Sequence, residues 1–309
     1  GVFMMDNYGF YTGKSVDAYE FFGCHTDENG AVFRVFAPAA VRISVIGEFN
    51  GWQDTPMNKI GDGNFWAVYI EGVKPGQMYK YKIYKPDGSC MDHCDPYGYG
   101  MELRPASASI VRNLYGYEFQ DDAWMKKRSN GVASALNIYE IHAGSWKKPQ
   151  NGWYRYDELA TQLVPYLKEY GYNYIELLPI GEHPCDESWG YQCSGFYSPT
   201  SRYGTLDDYK KMIDILHHND IGVIMDFVPV HFALDAYALA KFDGTALYEY
   251  PHKDVGNSEW GSCNFMHSRG EVRSFLQSCA NYWLKEYHVD GLRMDAISNM
   301  IYWQGKTGT

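Results

Sequence analysis

The chain after residue 135 alternates short apolar runs with longer amphipathic stretches, and this alternation most constrains the fold. The apolar runs are rich in β-branched residues and predict strands, and the stretches between them have the apolar spacing of helices. Such strands are typical of a parallel sheet covered on both faces. The pattern alone allows an open doubly wound sheet or the first half of a (β/α)8 TIM barrel. The predicted strands are Asn137–His142, Tyr174–Ile180, Val223–Val228 and Val289–Asp295.

Boundary signals accompany the predicted helices. Asp157 is predicted to cap the first helix, which Gly171 ends. Thr205 and Asp208 form a capping box that opens the second helix. Apolar residues at helical spacing predict a third helix at Glu271–Tyr287.

Residues 31–112 have a different pattern, in which short strands are separated by turn signals such as Asn50-Gly51 and Asp87-Gly88. Short strands at this spacing predict a β-sandwich. A polar, charged stretch from Asp121 to Asn130 predicts a linker to the second half. The predicted strands are Ala31–Phe36, Val41–Ile46, Trp66–Ile70, Tyr79–Tyr84 and Ser109–Val111.

The composition excludes several classes of partner. A formal net charge of −11 argues against nucleic acid and against an anionic membrane surface. No apolar run reaches the roughly 18 residues that a membrane span needs. The aromatic content of 17% fits a neutral, polar ligand such as a sugar, whose C–H faces stack on aromatic rings.

Cysteine usage and motif content predict neither a metal nor a cofactor. Seven cysteines without regular spacing, and an N-terminus without a signal-peptide layout, indicate free thiols in the cytoplasm. Cys90 and Cys94 flank His93, but no second pair follows at zinc-like spacing. The sequence has no phosphate-binding loop and no dinucleotide fingerprint.

Ionisable residues collect where the predicted strands end. Arg293 and Asp295 are two residues apart and point to the same face of a strand, where a guanidinium favours an ionised carboxylate. Asp226 ends the third strand, and His231 follows in the next loop. In barrel enzymes the C-terminal strand ends and the following loops build the active site.

The loop after the second strand, roughly residues 181–201, is long, and loops of this length are usually functional. Taken singly, these features at the strand ends have structural explanations. Arg293 and Asp295 could form an ion pair, Asp226 could cap a turn, His231 could be a buried histidine, and the aromatic loop could pack as a lid. Their common position favours a binding site. The aromatic residues of the loop region are Trp189, Tyr191, Phe196, Tyr197 and Tyr203.

Several long segments carry a resemblance to a known family. They are SWGYQCSGFYSPTSRYGTLDDYKKMID from Ser188, DFVPVHF from Asp226, EVRSFLQSCANYWLKEYHVDGLRMDA from Glu271, LYEY at Leu247–Tyr250 and NSEWG at Asn257–Gly261. With them the chain resembles the α-amylase group of glycoside hydrolases, family 13, and within it the 1,4-α-glucan branching enzymes. The segment RVFAPAAVRISVIGEFNGWQ from Arg34 resembles the family 48 carbohydrate-binding module, an Ig-like β-sandwich.

The resemblance implies a role for each matching residue. Asp295 corresponds to the catalytic nucleophile, and Arg293 to the arginine that keeps the nucleophile ionised and oriented. Asp226 corresponds to a structural acid behind the site. His231 and Tyr191 correspond to groups that line the sugar subsite at the point of cleavage.

Other aromatic residues are candidates for contact with a glucan. Trp189 and Tyr197 are candidates in the long loop of the barrel. Trp52 and Trp66 are candidates for a binding platform in the module, with packing in the sandwich core as the alternative for both.

The family mechanism is retaining, and in a branching enzyme a glucan 6-hydroxyl replaces water in the second step and forms an α-1,6 branch. The family's general acid, a glutamate, and its third acid, an aspartate, match no residue of this chain. We therefore expect an N-terminal fragment, inactive alone, that lacks the second half of the barrel and the C-terminal β-domain. The expected parts are an extension (1–18), the module (19–112), a linker (113–133) and the first four βα units (134–309).

Two other functions remain compatible with the sequence. One is a glucan-binding protein without catalytic activity. The other is a debranching enzyme or a maltooligosyl-trehalose hydrolase, which also join such a module to such a barrel.

Overall fold

Two antiparallel sheets face each other in the first third of the chain. The computed structural model describes residues 4–129, 135–251, 262–295, 302–303 and 306–307. The strands of its first segment are β1 (Gly23–Thr26), β2 (Gly30–Phe36), β3 (Arg42–Gly47), β4 (Thr55–Pro56), β5 (Asn58–Ile60), β6 (Phe65–Glu71), β7 (Met78–Tyr84), β8 (Cys90–His93) and β9 (Ser109–Ile110). One sheet has the order β1-β2-β6-β5 and the other β4-β3-β7-β8, with β9 also paired to β7. The predicted β-sandwich is confirmed.

Strand β7 shows how the sequence builds this sandwich. Tyr79, Tyr81 and Ile83 are buried, and the residues that alternate with them are partly exposed, as the two-residue period of a strand requires. The ring of Tyr79 lies 5.1 Å from that of Phe33 on the facing sheet. Aromatic contacts of this kind fill the space between the two sheets.

Four parallel strands form the sheet of the second half of the described chain, and they adjoin in chain order. They are β10 (Ile138–Ile141), β11 (Tyr174–Leu177), β14 (Gly222–Phe227) and β17 (Gly291–Met294). A doubly wound sheet reverses its strand order at a switch point, whereas a barrel adds each strand beside the last. The order therefore decides between the two architectures, and the partial TIM barrel is confirmed.

Three helices connect these strands, and shorter elements lie between them. The helices are α3 (Tyr156–Glu169), α4 (Leu206–His218) and α5 (Gly270–Glu286). The shorter elements are the paired strands β12 (Gly181–Glu182) with β13 (Gly195–Pro199), β15 (His231–Phe232) with β16 (Cys263–Asn264), and β18 (Tyr302–Trp303) with β19 (Lys306–Thr307). None of the helices in the described ranges combines the length and apolarity that a membrane crossing requires.

The start of α3 differs from the prediction. The helix begins at Tyr156 with Arg155 as its N-cap residue, so that Asp157 lies in the first turn. The carboxylate of Glu158 accepts the main-chain N–H of Arg155 at 3.2 Å. Asp157 instead accepts the side chain of Arg155, at 2.5 Å from Nε. The capping box of Thr205 and Asp208 is present as predicted.

Residues 1–18 contain a helix that contacts the barrel. Helix α1 (Asn7–Thr12) lies against α5, where Ser274 Oγ donates to the main-chain oxygen of Phe10 at 2.8 Å. The ring of Phe10 packs against Phe36 and Phe65 of the sandwich, at 5.2 and 5.8 Å between centroids. This short helix therefore joins both parts of the chain.

The stretch predicted as a linker contains helix α2 (Asp122–Ser129), which the sequence analysis did not predict. Trp124 Nε1 and Arg128 Nη1 both donate to Asp290 Oδ1, at 2.8 and 3.0 Å. The helix is polar around most of its circumference, and Trp124, whose ring stacks on His217 at 5.0 Å, and Arg128 anchor it. The sequence therefore offers no apolar stripe from which to predict it.

Asp290 also belongs to a buried charged cluster at the start of β14, where it accepts the main-chain N–H of Val223 at 2.8 Å. His217 lies between two carboxylates, with Nδ1 2.8 Å from Asp121 Oδ2 and Nε2 2.7 Å from Asp290 Oδ2. Burial lowers the pKa of His217, but the hydrogen bonds and charges of the two carboxylates outweigh it, and the pKa is raised. His288 Nδ1 lies 2.8 Å from Asp121 Oδ2 as well.

Replacing His217 by glutamine should destabilise the chain by an amount that depends on pH. A raised histidine pKa contributes stability that is complete below the unfolded value of about 6.5 and is lost as pH rises through the folded value. We expect a cost of about 1–3 kcal/mol for the lost buried partners, larger near pH 6 than near pH 9. Urea unfolding of both proteins at the two pH values measures this, and a cost that grows with pH would contradict it.

Candidate active site

The candidate site lies on the face of the parallel sheet that points away from the helices. Asp226 on β14 is directly opposite Arg293 on β17, and Glu176 on β11 is opposite Ile224 on β14. Because side chains alternate along a strand, Glu176, Asp226 and Arg293 share one face. Leu177 and Met225, one residue away from this set, are buried on the other face.

The guanidinium of Arg293 joins three carboxylates. Its Nη1 lies 2.9 Å from Asp226 Oδ2, its Nη2 3.3 Å from Asp295 Oδ1, and its Nε 3.5 Å from Glu176 Oε1. The side chain of Asp226 is fully buried, whereas that of Asp295 is 28% exposed. The arginine thus anchors on a buried acid and presents a second acid at the surface of the site.

Tyr191 closes this network from the loop after β11. Its hydroxyl donates to Asp226 Oδ2 at 2.5 Å and accepts from Arg293 Nη1 at 3.3 Å. Burial and the hydrogen bond to Asp226 raise the pKa of Tyr191, so its hydroxyl stays neutral and keeps its proton. The phenol is thereby fixed beside the guanidinium.

His231 holds the main chain of the same residue. Its Nε2 lies 3.0 Å from the carbonyl oxygen of Tyr191, which can only accept, so Nε2 carries a proton. Burial lowers the pKa of His231, while the hydrogen bond to Tyr191 and the charge of Asp295 oppose that shift. The structure thus brings together Tyr191, Asp226, His231, Arg293 and Asp295, all of which the sequence analysis selected.

A buried ion pair fixes the loop that carries Tyr191. Arg202 donates to Glu182 Oε1 at 2.9 Å and to Asp186 Oδ1 at 2.6 Å. Glu182 also accepts from the main-chain N–H of Ser201 at 2.7 Å and from Thr200 Oγ1 at 3.0 Å. Arg202 lies in the P-T-S-R-Y-G segment, but the sequence analysis assigned it no role.

The two further aromatic candidates of the barrel have opposite environments. Trp189 is 57% exposed, with a left-handed backbone (φ 54°), and its ring lies 6.4 Å from that of His142. Tyr197 is fully buried in β13, where its hydroxyl donates to the main-chain oxygen of Phe275 at 2.6 Å. The interpretation of Tyr197 as a substrate contact is therefore wrong, because its ring belongs to the core.

The module tryptophans differ in the same way. Trp52 is 43% exposed and follows the turn at Asn50-Gly51. Trp66 is 4% exposed, and its indole N–H donates to the main-chain oxygen of Ala37 at 3.0 Å. The interpretation of Trp66 as a platform is wrong, since the alternative of core packing applies to it.

Within the described ranges, no group of three or more His, Cys, Asp or Glu side chains could hold a metal ion. His93, between Cys90 and Cys94, is buried, and its Nδ1 lies 2.8 Å from the main-chain oxygen of Ala238. The NSEWG segment at residues 257–261 lies outside the described residues.

Two family descriptions match the chain. "Carbohydrate-binding module 48 (Isoamylase N-terminal domain)" matches residues 21–98, and "Alpha amylase, catalytic domain" matches residues 159–254. The first match falls on the β-sandwich and the second on the part of the barrel that contains Tyr191, Asp226 and His231.

Curated relatives cover nearly the whole chain. The 1,4-alpha-glucan branching enzyme GlgB of Fusobacterium nucleatum is 46% identical over 97% of the chain and 50% of the relative. That of Geobacillus stearothermophilus is 45% identical over 97% of the chain and 48% of the relative. The chain therefore spans about half the length of the curated relatives it matches.

Solved structures show the same fold. A putative alpha amylase from Salmonella typhimurium has a TM-score of 0.74 at 27% identity, covering 93% of this chain and 45% of that one. The pullulanase from Bacillus acidopullulyticus has a TM-score of 0.71 at 23% identity, over 90% of this chain and 38% of that one. The domain matches and curated relatives show that the chain belongs to the α-amylase family of glycoside hydrolases and, within it, to the group of the 1,4-alpha-glucan branching enzymes.

Proposed function

We propose that the protein to which this chain belongs cleaves an α-1,4-glucan and transfers the released chain to a glucan 6-hydroxyl, forming an α-1,6 branch. The observation that carries the proposal is the guanidinium of Arg293, which rests on buried Asp226 and presents Asp295. Curated relatives that are 46% identical and named for this activity support it.

In the proposed first step, Asp295 attacks the anomeric carbon and forms a glycosyl ester as the bond to the leaving O4 breaks. The leaving oxygen takes its proton from a general acid, to which we assign no residue of this chain. Arg293 orients the nucleophile, because its guanidinium lies 3.3 Å from the carboxylate.

In the proposed second step, a glucan 6-hydroxyl attacks the same carbon, loses its proton to the general acid residue and releases Asp295. Tyr191 and His231 would line the sugar subsite beside the nucleophile. Trp189, which is exposed, would stack on the chain and favour a glucan acceptor over water.

We further propose that residues 19–112 are the glucan-binding module and residues 134–309 the first part of the catalytic barrel, with residues 113–133 between them. A cytoplasmic location fits the seven free cysteines, and the net charge of −11 fits a neutral polysaccharide better than nucleic acid.

Replacing Trp52 by alanine should weaken glycogen binding by about 10-fold, the equivalent of about 1.4 kcal/mol, because the variant loses an exposed indole that can cover a sugar face. The matched control is Tyr69→Ala, which removes another exposed module aromatic, 45% exposed. Affinity electrophoresis in glycogen-containing gels measures both variants. Equal affinity of the Trp52 variant and the unmodified protein would refute this role.

Product analysis tests the proposed activity. The complete protein should lower the iodine staining of amylose without a matching rise in reducing ends, and the product should gain α-1,6 linkages. A rise in reducing ends with loss of α-1,6 linkages would instead support debranching. Glucan binding without either change would support a binding protein that lacks catalysis.

A further inference from the structure

The face of the sheet that carries the candidate nucleophile holds an acid to which the sequence analysis gave no role. Glu176 lies on β11 opposite Ile224, two residues before Asp226 on the neighbouring strand, and both carboxylates contact the guanidinium of Arg293. Its side chain is 14% exposed and that of Asp226 is fully buried. Two carboxyl groups therefore meet where water has little access.

Both acids have a buried oxygen without a donor. Among the described residues, neither Glu176 Oε1 nor Asp226 Oδ1 accepts a hydrogen bond, and Arg293 Nε lies 3.5 Å from Glu176 Oε1 as an ion pair without hydrogen-bond geometry. The other oxygen of Asp226 is well supplied, since it accepts from Tyr191 at 2.5 Å and from Arg293 at 2.9 Å. Buried acceptors without a donor are costly, and one proton between two such acids supplies the missing donor.

We propose that Glu176 and Asp226 share one proton, and that Glu176 is thereby a positioning residue for Arg293 and the nucleophile Asp295. With the proton in place, the pair carries a single negative charge, as a partner for one guanidinium. Without it, a second negative charge lies beneath Arg293 and draws the guanidinium away from Asp295. The role in positioning rests on the proposed function, whereas the shared proton does not.

The charged surroundings of Glu176 support this protonation. Burial, the hydrogen bond and charge of Asp226, and the charge of Glu140 on β10 raise the pKa of Glu176 to about 7, while Arg293 opposes the shift. Among the described residues, the neutral hydroxyl of Tyr191 also contacts Asp226. The proton would therefore leave to solvent as pH rises through neutrality.

Carboxyl-carbon NMR of the 309-residue chain with ¹³C-labelled glutamate tests the shared proton. Glu176→Gln assigns the signal, which should titrate near neutrality in the unmodified chain. Glu140→Gln is the matched control, since Glu140 is opposite Glu176 in the parallel register and is exposed. That variant should keep the Glu176 signal and lower its titration only slightly, because burial and Asp226 raise the pKa of Glu176 more than Glu140 does. Titration of this signal in the ordinary range of about 4–5 would overturn the proposal.

A second variant tests the pair from its other side. Asp226→Asn removes the neighbouring charge and offers an amide donor, so the Glu176 signal should titrate at distinctly lower pH. An unchanged titration would show that burial alone holds the proton and would overturn the sharing. This measurement also stands if Glu176→Gln fails to fold, because the signal can then be assigned by site-selective labelling.

The pH profile of branching by the complete protein tests the positioning role. Glu176→Gln, whose amide still donates to Asp226, should keep kcat within about 3-fold. Its branching activity should fall less at alkaline pH than that of the unmodified protein, because the variant has no shared proton to lose. Glu176→Ala should lower kcat by about 10- to 100-fold with little change in KM, the effect of a misplaced reacting group. If the branching activity of the glutamine variant falls at alkaline pH as much as that of the unmodified protein, the positioning role is overturned. If neither the variants nor the unmodified protein forms branches while the NMR titration is as expected, the proposed activity is refuted and the shared proton is not.

Discussion

Replacing Asp295 by asparagine in the complete protein should reduce branching by at least about 10⁴-fold, because the proposed covalent step would lose its nucleophile. Asparagine is nearly isosteric, and Asp295 is 28% exposed in its side chain, so the fold should persist. The rate of decline in amylose–iodine absorbance gives the activity. Glycogen binding, measured on the same preparation, should be unchanged.

This variant also separates catalysis from binding. If the protein only binds glucan, the asparagine variant and the unmodified protein will behave alike in both assays. Met294→Leu is the matched control, since it alters the adjacent residue of the same strand, whose side chain points to the other face. It should retain most of the activity. A comparable loss in the Met294 variant would attribute the effect to a disturbed strand.

Replacing Arg202 by alanine should destabilise the chain by about 3–5 kcal/mol, the usual cost of leaving one charge of a buried pair uncompensated. The side chains of Arg202 and Glu182 are 2% and 4% exposed. Burial raises the pKa of Glu182, and the charge of Arg202 is among the groups that counteract it. Urea unfolding near neutral pH gives the difference in free energy of unfolding.

Two companion variants sharpen this test. Adding Glu182→Gln to Arg202→Ala removes the uncompensated charge and should restore part of the lost stability. Arg155→Ala is the surface control, because the side chain of Arg155 is 51% exposed in its pair with Asp157. Exposed pairs contribute about 0.2–1 kcal/mol. Similar losses for the two arginines would show that burial of the Arg202 pair has no special cost.

Much of the fold follows from periodicity. The apolar runs predict the four parallel strands of the barrel to within a few residues, because strands covered on both faces need such runs. Their chain order, which separates a barrel from a doubly wound sheet, depends on pairing between strands and is not written in any one segment. Helix α2 escaped prediction because a tryptophan and an arginine anchor it, in place of an apolar face.

The site was predictable where the spacing of two residues along a strand determines the face to which their side chains point. The two-residue interval between Arg293 and Asp295 places both side chains at one face, and the structure has them 3.3 Å apart. Tyr191 and Tyr197 cannot be separated in this way, because both are tyrosines of one aromatic segment. Only the pairing of β12 with β13 shows that Tyr197 lies in a buried strand. Glu176 was overlooked because an acid in an apolar run carries no signal of what it faces.

The contact between α1 and α5 has a consequence for synthesis of the protein. The hydrogen bond between Ser274 and Phe10 joins residues 264 positions apart in sequence. At about 5–20 residues per second, the N-terminal helix would leave the ribosome roughly 13–53 s before its partner exists. During that interval the ring of Phe10 can already pack against Phe36 and Phe65 of the sandwich, but its main-chain oxygen lacks the donor that Ser274 provides. The N-terminal helix can therefore dock on the module first, and its contact with the barrel forms only after α5 emerges.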